Sequence, residues 1–196
     1  MPLIASRAGG SATSFGGLGA SLTQPFAPSG AYDSIATASG TGSSGTITFS
    51  SIPSTYTHLQ VRVFGRNSYP STQFNTRFNS DTGSNYAWHT LYGDGANPYA
   101  AQQNAVTFMG TYGLAYSSLT AGIISGHIMD ILDYKNTSKY KTTRTLGGFD
   151  ANGSGEEGLF SGVWTNTAAI TTIDLIAVSG NWTTDTRIAL YGIKGA

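Results

Sequence analysis

The chain has 196 residues, no cysteine and no net charge, because ten Lys and Arg residues balance ten Asp and Glu residues. The lack of cysteine excludes disulfides, thiolate metal sites and a cysteine nucleophile. The densest basic stretch, Lys135 to Arg144, holds four cations, too few to form a phosphate-binding surface, so we expect no nucleic-acid partner.

Residues 1–44 are predicted to form an extended arm. Gly, Ala and Ser supply 26 of the first 45 residues, and Arg7 and Asp33 are the only charged ones among them. Such a segment has too little apolar surface to build a core of its own. The stretch Pro2 to Ala5 is too short for a signal-peptide core, and no apolar run approaches the ~18 residues that span a bilayer. We therefore expect assembly in the cytoplasm, without membrane insertion.

Residues 45–196 are predicted to form a single β domain. Leu59, Val61 and Val63 alternate with polar neighbours, which is the pattern of a strand with one buried face. About ten such runs are separated by Gly-, Asn- and Asp-rich turn sequences. This spacing favours an all-β, antiparallel, jelly-roll-like β-sandwich over alternating βαβ units. Tyr99 to Met109 is the one stretch for which the sequence allows a helix, with a loop as the alternative.

Motifs for nucleotide or metal binding are incomplete. The pattern Gly-x-Gly-x-x-Gly occurs at 40–45 and at 153–158, but both matches lead into predicted strands, whereas a pyrophosphate site needs a following helix. Asp150 and Asn152 begin like a calcium loop that could also use Glu156, yet Ser161 stands where the closing bidentate Glu belongs. A polar hairpin tip is the alternative, and we expect neither a metal nor a cofactor.

Catalytic residues are also hard to assign. His58, His89 and His127 lie on separate predicted strands without ligand spacing. A glycosidase needs two carboxylates that flank the sugar, and Asp81 with Asp94, or the pair 156–157, could supply them only if the fold brought them together. The sequence therefore predicts a protein that is not an enzyme.

Aromatic residues surround the Gly-Asp-Gly-Ala-Asn-Pro sequence at 93–98. Planar rings beside carboxyl and amide groups are how proteins bind sugar faces and hydroxyls. Tyr86 and Trp88, two residues apart on one strand, are expected to face the core together. The predicted ligand-facing loop consists of Tyr92, Asp94, Asn97 and Tyr99.

Four stretches resemble virion proteins of tailed bacteriophages, in particular tail-fibre and minor structural proteins that carry a small β module. They are SRAGGSATSFGGLG at 6–19, FSSIPSTYTHLQVR at 49–62, RFNSDTGSNY at 77–86 and LYGIK at 190–194. The resemblance spans most of the chain, and its motifs are structural, with no catalytic residue to carry over.

The resemblance implies a non-enzymatic structural protein of the virion, assembled in the host cytoplasm, whose arm docks onto other virion proteins. The apolar anchors of the arm would be Phe15, Leu18, Leu22, Pro25 and Phe26. The body would form a homotrimer and present the loops 93–99 and 150–158 to a host-surface glycan for attachment.

Two other functions remain open at this point. In a capsid decoration (cement) protein, the arm would extend across neighbouring capsid subunits, and the body would bind the outside of the capsid and stabilise it. In a free-standing carbohydrate-binding module, sugar binding would not need the arm at all.

Overall fold

A computed structural model of the protein describes residues 31–194. These residues form twelve strands and no helix, so this part of the chain has no helix long and apolar enough to cross a membrane. The anchors predicted at positions 15, 18, 22, 25 and 26 lie outside the described residues. The strands are β1 (Tyr32–Ser39), β2 (Thr46–Phe49), β3 (His58–Gly65), β4 (Phe74–Phe78), β5 (Tyr86–Gly93), β6 (Pro98–Val106), β7 (Met109–Thr111), β8 (Ser125–Leu132), β9 (Lys141–Asp150), β10 (Gly155–Trp164), β11 (Ile173–Ala177) and β12 (Arg187–Ile193).

The strands make two antiparallel sheets that pack as a sandwich, which confirms the predicted fold class. The larger sheet has the order β1-β12-β3-β8-β9-β10-β5-β6 and the smaller one β2-β11-β4-β7. Strands β1 to β4, β7, β8, β11 and β12 are distributed between the sheets as the eight strands of a jelly roll. The other four strands form two hairpins, β5–β6 and β9–β10, that widen the larger sheet beyond β8.

Two segments differ from the sequence-based expectation. Residues 32–39, inside the predicted arm, form strand β1 and pair with β12 from Tyr32↔Ile193 to Ser39↔Arg187. The stretch 99–109 forms most of β6 and the start of β7, where a helix or a loop was expected. In both cases a neighbouring strand supplies the backbone partners, and tertiary context of this kind outweighs local propensity.

The core lies between the two sheets and is built from alternate residues of each strand. Leu59, Val61 and Val63 are buried, as their alternation predicts. The large aromatic side chains fill the centre, where the ring centroids of Phe78 and Trp164 are 5.8 Å apart. Since a fully buried aromatic side chain removes 150–250 Å² from water, these rings contribute much of the hydrophobic stabilisation.

The smaller sheet covers only part of the larger one. Its edge strand β7 packs against β10 and β5, whereas the side chains of β6 are exposed along almost the whole strand. The inner face of the larger sheet is therefore open near β6, at the end where the β5–β6 and β9–β10 turns lie.

Candidate functional site

The β5–β6 turn is held in one conformation by the carboxylate of Asp94. Its Oδ1 atom accepts hydrogen bonds from the backbone N–H groups of Ala96, at 2.9 Å, and Asn97, at 2.7 Å. Gly95 takes a φ of 89°, which glycine adopts without strain. The local sequence thus dictates a tight polar turn that projects from the end of the sheet.

Asp94 also joins this turn to an aromatic side chain. The Tyr99 hydroxyl donates a hydrogen bond of 2.9 Å to Oδ2 of Asp94. The Asn97 and Ala96 N–H groups, followed by the Tyr99 hydroxyl, lower the pKa of Asp94 to about 2. Asp94 is therefore a carboxylate at any physiological pH, and both of its oxygens are already hydrogen-bonded.

Three tyrosine rings form a stack beside the turn. Tyr92 and Tyr99 are cross-strand partners with centroids 4.9 Å apart and planes at 20°. Tyr112, which follows β7, lies on the other side of Tyr92 at 5.9 Å and 10°. Within residues 31–194, Tyr99 contacts no ring except Tyr92. Tyr99 therefore ends the stack, and 40% of the residue is exposed.

The β9–β10 turn lies beside the β5–β6 turn, because Glu157 of β10 pairs with Gly93 of β5. It is closed by a 2.7 Å hydrogen bond from the Ala151 N–H to the Ser154 carbonyl. Between the two turns is a cavity of about 430 Å³, which we call the hairpin cleft. The cleft is lined by residues 93–95, 149–150 and 153–157.

Glu156 is one of four carboxyl groups that line the hairpin cleft, together with Asp94, Asp150 and Glu157. Burial raises its pKa to about 7; the Gly113 N–H opposes this shift and the negative charge of Asp94 adds to it. Its Oε1 atom is buried and has no hydrogen-bond partner within the described part of the chain. Near pH 7 this carboxyl group is therefore present in both its protonated and its ionised form.

A buried histidine supports the third ring of the stack. The Nε2 atom of His127 lies 2.9 Å from the backbone oxygen of Tyr112. Because a carbonyl only accepts, Nε2 carries the proton in this contact. Burial lowers the pKa of His127 to about 4, so the imidazole is neutral at physiological pH. His127 thus positions Tyr112 and does not itself reach the cleft.

The structure brings together the four residues of the predicted ligand-facing loop. Tyr92 and Tyr99 stack, Asp94 binds Tyr99, and the Asn97 N–H binds Asp94. Tyr86 and Trp88 are buried, which confirms their expected core position. Whether the loop binds a ligand stays a prediction.

Several alternative sites from the sequence do not form. Asp81 precedes β5 and accepts a 2.8 Å hydrogen bond from Trp164, whereas Asp94 follows the strand, so these two carboxylates lie at opposite ends of β5. Residues 156 and 157 both line the hairpin cleft, but they are adjacent on β10, and adjacent strand residues point to opposite faces, so the two carboxyl groups do not face each other across a bound sugar. Asp150 Oδ1 accepts the Asn152 N–H within its own turn. Residues 31–194 contain no cluster of three or more His, Asp or Glu side chains arranged to hold a metal ion.

Sequence reasoning did not include Tyr112 in the site. It stands alone in a Thr-Tyr-Gly sequence, 13 residues after Tyr99, with no periodic pattern around it. The sequence offers Glu156 only as a calcium ligand or as half of a Glu156–Glu157 pair. Glu156 lies near the Asp94 turn only because β10 is between β9 and β5 in the larger sheet, and no local sequence pattern reveals that strand order.

No protein-family model matches the chain, and no curated protein is similar to it in sequence. One solved structure with some similarity is the exo-inulinase from Aspergillus awamori, with a TM-score of 0.42 and 10% identity. The match covers 84% of this chain and 29% of that enzyme, so the chain spans less than a third of its length.

Proposed function

We propose that this protein is a non-enzymatic structural component of a tailed-phage virion, a tail-fibre or adhesion module that binds a host-surface saccharide in the hairpin cleft. The virion role rests on the resemblance of the four sequence stretches. The proposal that the ligand is a saccharide rests on one observation: the partly exposed Tyr99 donates a hydrogen bond to Asp94, whose carboxylate lines the cleft.

The chemistry of the cleft suits an uncharged, hydroxyl-rich ligand. An exposed tyrosine ring offers an apolar surface to the C–H face of a pyranose. Asp94 is a hydrogen-bond acceptor at every physiological pH, and the carboxyl groups of Asp150 and Glu157 also line the cleft. A mostly preformed pocket with a few polar groups is typical of small-molecule sites.

The hydrogen bonds of Asp94 favour binding over hydrolysis. A glycosidase nucleophile or base needs an oxygen free to attack the sugar or to take a proton from water. Oδ1 of Asp94 already accepts two N–H groups and Oδ2 accepts the hydroxyl of Tyr99. This carboxylate is therefore committed to holding the turn.

Titration of the full chain with purified host-surface polysaccharide tests the saccharide part of the proposal. Tyr99→Ala should weaken binding about three- to tenfold, because an aromatic contact contributes about 0.5–1.5 kcal/mol. Tyr140→Ala is the matched control, since Tyr140 is an exposed tyrosine outside the cleft. Equal affinity of Tyr99→Ala and the wild-type chain would exclude a sugar site that uses the Tyr99 ring beside the cleft.

Particle location tests the virion part. Immunogold labelling with an antibody against the body should place gold at the tail end for a fibre, whereas gold over the head would mean a decoration protein. The absence of gold from the particle would overturn both virion roles.

A truncation separates a free-standing carbohydrate-binding module from both virion roles. The deletion should remove residues 1–30, because a cut at residue 44 would also remove strand β1. We expect the shortened chain to keep its sugar affinity and to lose incorporation into particles. Normal incorporation would contradict a docking role for the arm.

A further inference from the structure

The outer face of the larger sheet carries a straight row of exposed aliphatic side chains. Leu91 pairs with Leu159, Leu159 with Leu146, and Leu146 with Ile128. These four residues, which we call the apolar row, occupy one register position on the adjacent strands β5, β10, β9 and β8. Their exposed fractions are 56%, 57%, 56% and 46%, so each presents about half of its surface to solvent.

The apolar row is not expected on a solvated sheet face. Single exposed leucines are ordinary, but contiguous apolar patches on a soluble protein mark interaction sites. The register positions on either side are occupied by polar groups or glycines: Asp130, Arg144, Ser161 and His89 on one side, and Gly126, Gly148 and Glu157 on the other. Among these four strands the apolar side chains are densest along this row, and on β3 the exposed ring of Phe64 lies next to Gly126.

These flanking positions make the face complementary to itself. A two-fold axis along the apolar row places the row of one copy against the row of the other. The Arg144 side of one copy then faces the Gly148 side of the other. Arg144 of one copy lies opposite Gly148 of the other, which is covered by the backbone of residues 156 and 157 and carries no side chain. Glu157 is on the neighbouring strand, about 4.8 Å away, within reach of the guanidinium.

The outer face is also large enough for a stable contact. Eight strands about 4.8 Å apart, each about eight residues long at about 3.4 Å per residue, form a face of roughly 1,000 Å². A standard interface uses about 800 Å² from each partner. The chain has no net charge, so long-range repulsion does not oppose association.

We propose that a second copy of this chain docks on the outer face of the larger sheet, with the two apolar rows in contact and Arg144 of each copy paired with Glu157 of the other. This contact goes beyond the saccharide-binding role: it shares Glu157 with the lining of the hairpin cleft, and it leaves the tyrosine stack free, because the stack is on the inner face. The homotrimer predicted from the sequence would need a different surface, since a two-fold contact joins copies only in pairs.

Sedimentation velocity of the full chain across the micromolar range tests the contact. The wild-type chain should sediment as a dimer, and Leu159→Glu should raise the dimer dissociation constant roughly a hundredfold or more, because two carboxylates would be buried without partners. Tyr140→Glu adds the same charge at an exposed residue away from the row and should remain dimeric. Circular dichroism and urea unfolding confirm that each variant is folded.

Charge reversal tests the proposed contact between Arg144 and Glu157 of the two copies, independently of the apolar row. Arg144→Glu and Glu157→Arg should each weaken the dimer, and the double variant should regain the affinity of the wild-type chain. A wild-type chain that sediments as a monomer or a trimer would overturn the proposal. So would a dimer that Leu159→Glu leaves intact, or a double variant no stronger than the single ones.

Discussion

Acid should destabilise this fold through His127. The side chain is 2% exposed and lies against the rings of Phe74, at 5.2 Å, and Phe160, at 6.5 Å. An imidazolium in these surroundings has lost its water and has gained no carboxylate partner. Burial accordingly lowers the pKa of His127 from 6.5 to about 4.

The size of the effect follows from proton linkage. Between pH 6.5 and pH 4 the unfolded chain has His127 protonated, while the folded chain keeps it neutral, so the unfolded state binds more protons and stability falls as the pH falls. With pKa values of 6.5 and about 4, the loss is about 2 kcal/mol at pH 5 and about 3 kcal/mol at pH 4. The loss levels off below pH 4, where both states are protonated.

Urea unfolding followed by tryptophan fluorescence measures this loss. His127→Gln is the comparison, because the amide can still donate to the Tyr112 carbonyl but does not titrate. The free energy of unfolding of the wild-type chain should fall relative to the variant by about 2 kcal/mol between pH 7 and pH 5. Subtracting the two curves of unfolding free energy against pH removes the contribution of the carboxyl groups, because these groups titrate in both proteins. Parallel curves would refute the argument.

Three further predictions concern other parts of the fold. Gly148→Ala places a Cβ against the backbone oxygen of Glu156 and should lower the free energy of unfolding in urea by at least about 2 kcal/mol. The control is Gly126→Ala at the register partner of Gly148: nothing lies within 4 Å of the added Cβ there, and stability should change by less than about 0.5 kcal/mol. Equal effects of the two substitutions would contradict the packing argument. Arg66→Met removes four hydrogen bonds from the guanidinium to backbone carbonyls of residues 117–123. Limited proteolysis followed by mass spectrometry should therefore find faster cleavage in that loop. Unchanged cleavage would show that these hydrogen bonds do not hold the loop in place. Glu156→Gln should stabilise the fold by about 1 kcal/mol at pH 8 and much less at pH 5, because the folded chain resists ionisation of Glu156 between its ordinary pKa of 4.5 and its raised pKa of about 7, and the cost in stability builds up over that range; this value allows for solvent screening of a half-buried group. Thermal melts that respond equally at both pH values would contradict this prediction.

The alternation of Leu59, Val61 and Val63 was enough to predict β3, since a strand with one buried face requires period two. The same rule failed for β6. Its residues are nearly all exposed, so no hydrophobic period marks the strand, and its pairing with β5 is what makes it extended. β1 was missed for a related reason, because small residues such as Ala36 and Ala38 carry little apolar signal.

The candidate site divides in the same way. The loop of Tyr92, Asp94 and Tyr99 could be predicted because its residues are neighbours in the chain and its turn chemistry is local. Glu156 and Tyr112 join it only through the order of strands in the larger sheet and the position of β7. Their distance from the loop along the chain leaves no local signal.

The sequence by itself therefore determined the all-β class, the buried faces of the regular strands and the polar turn at residues 93–98, since each depends on side-chain periodicity or short-range hydrogen bonds. Only the tertiary structure decided that two hairpins share one cleft and that four aliphatic side chains align in the apolar row. Both depend on which strands are neighbours and in what register. Those choices are settled by the packing of the whole core, to which each local segment contributes only a part.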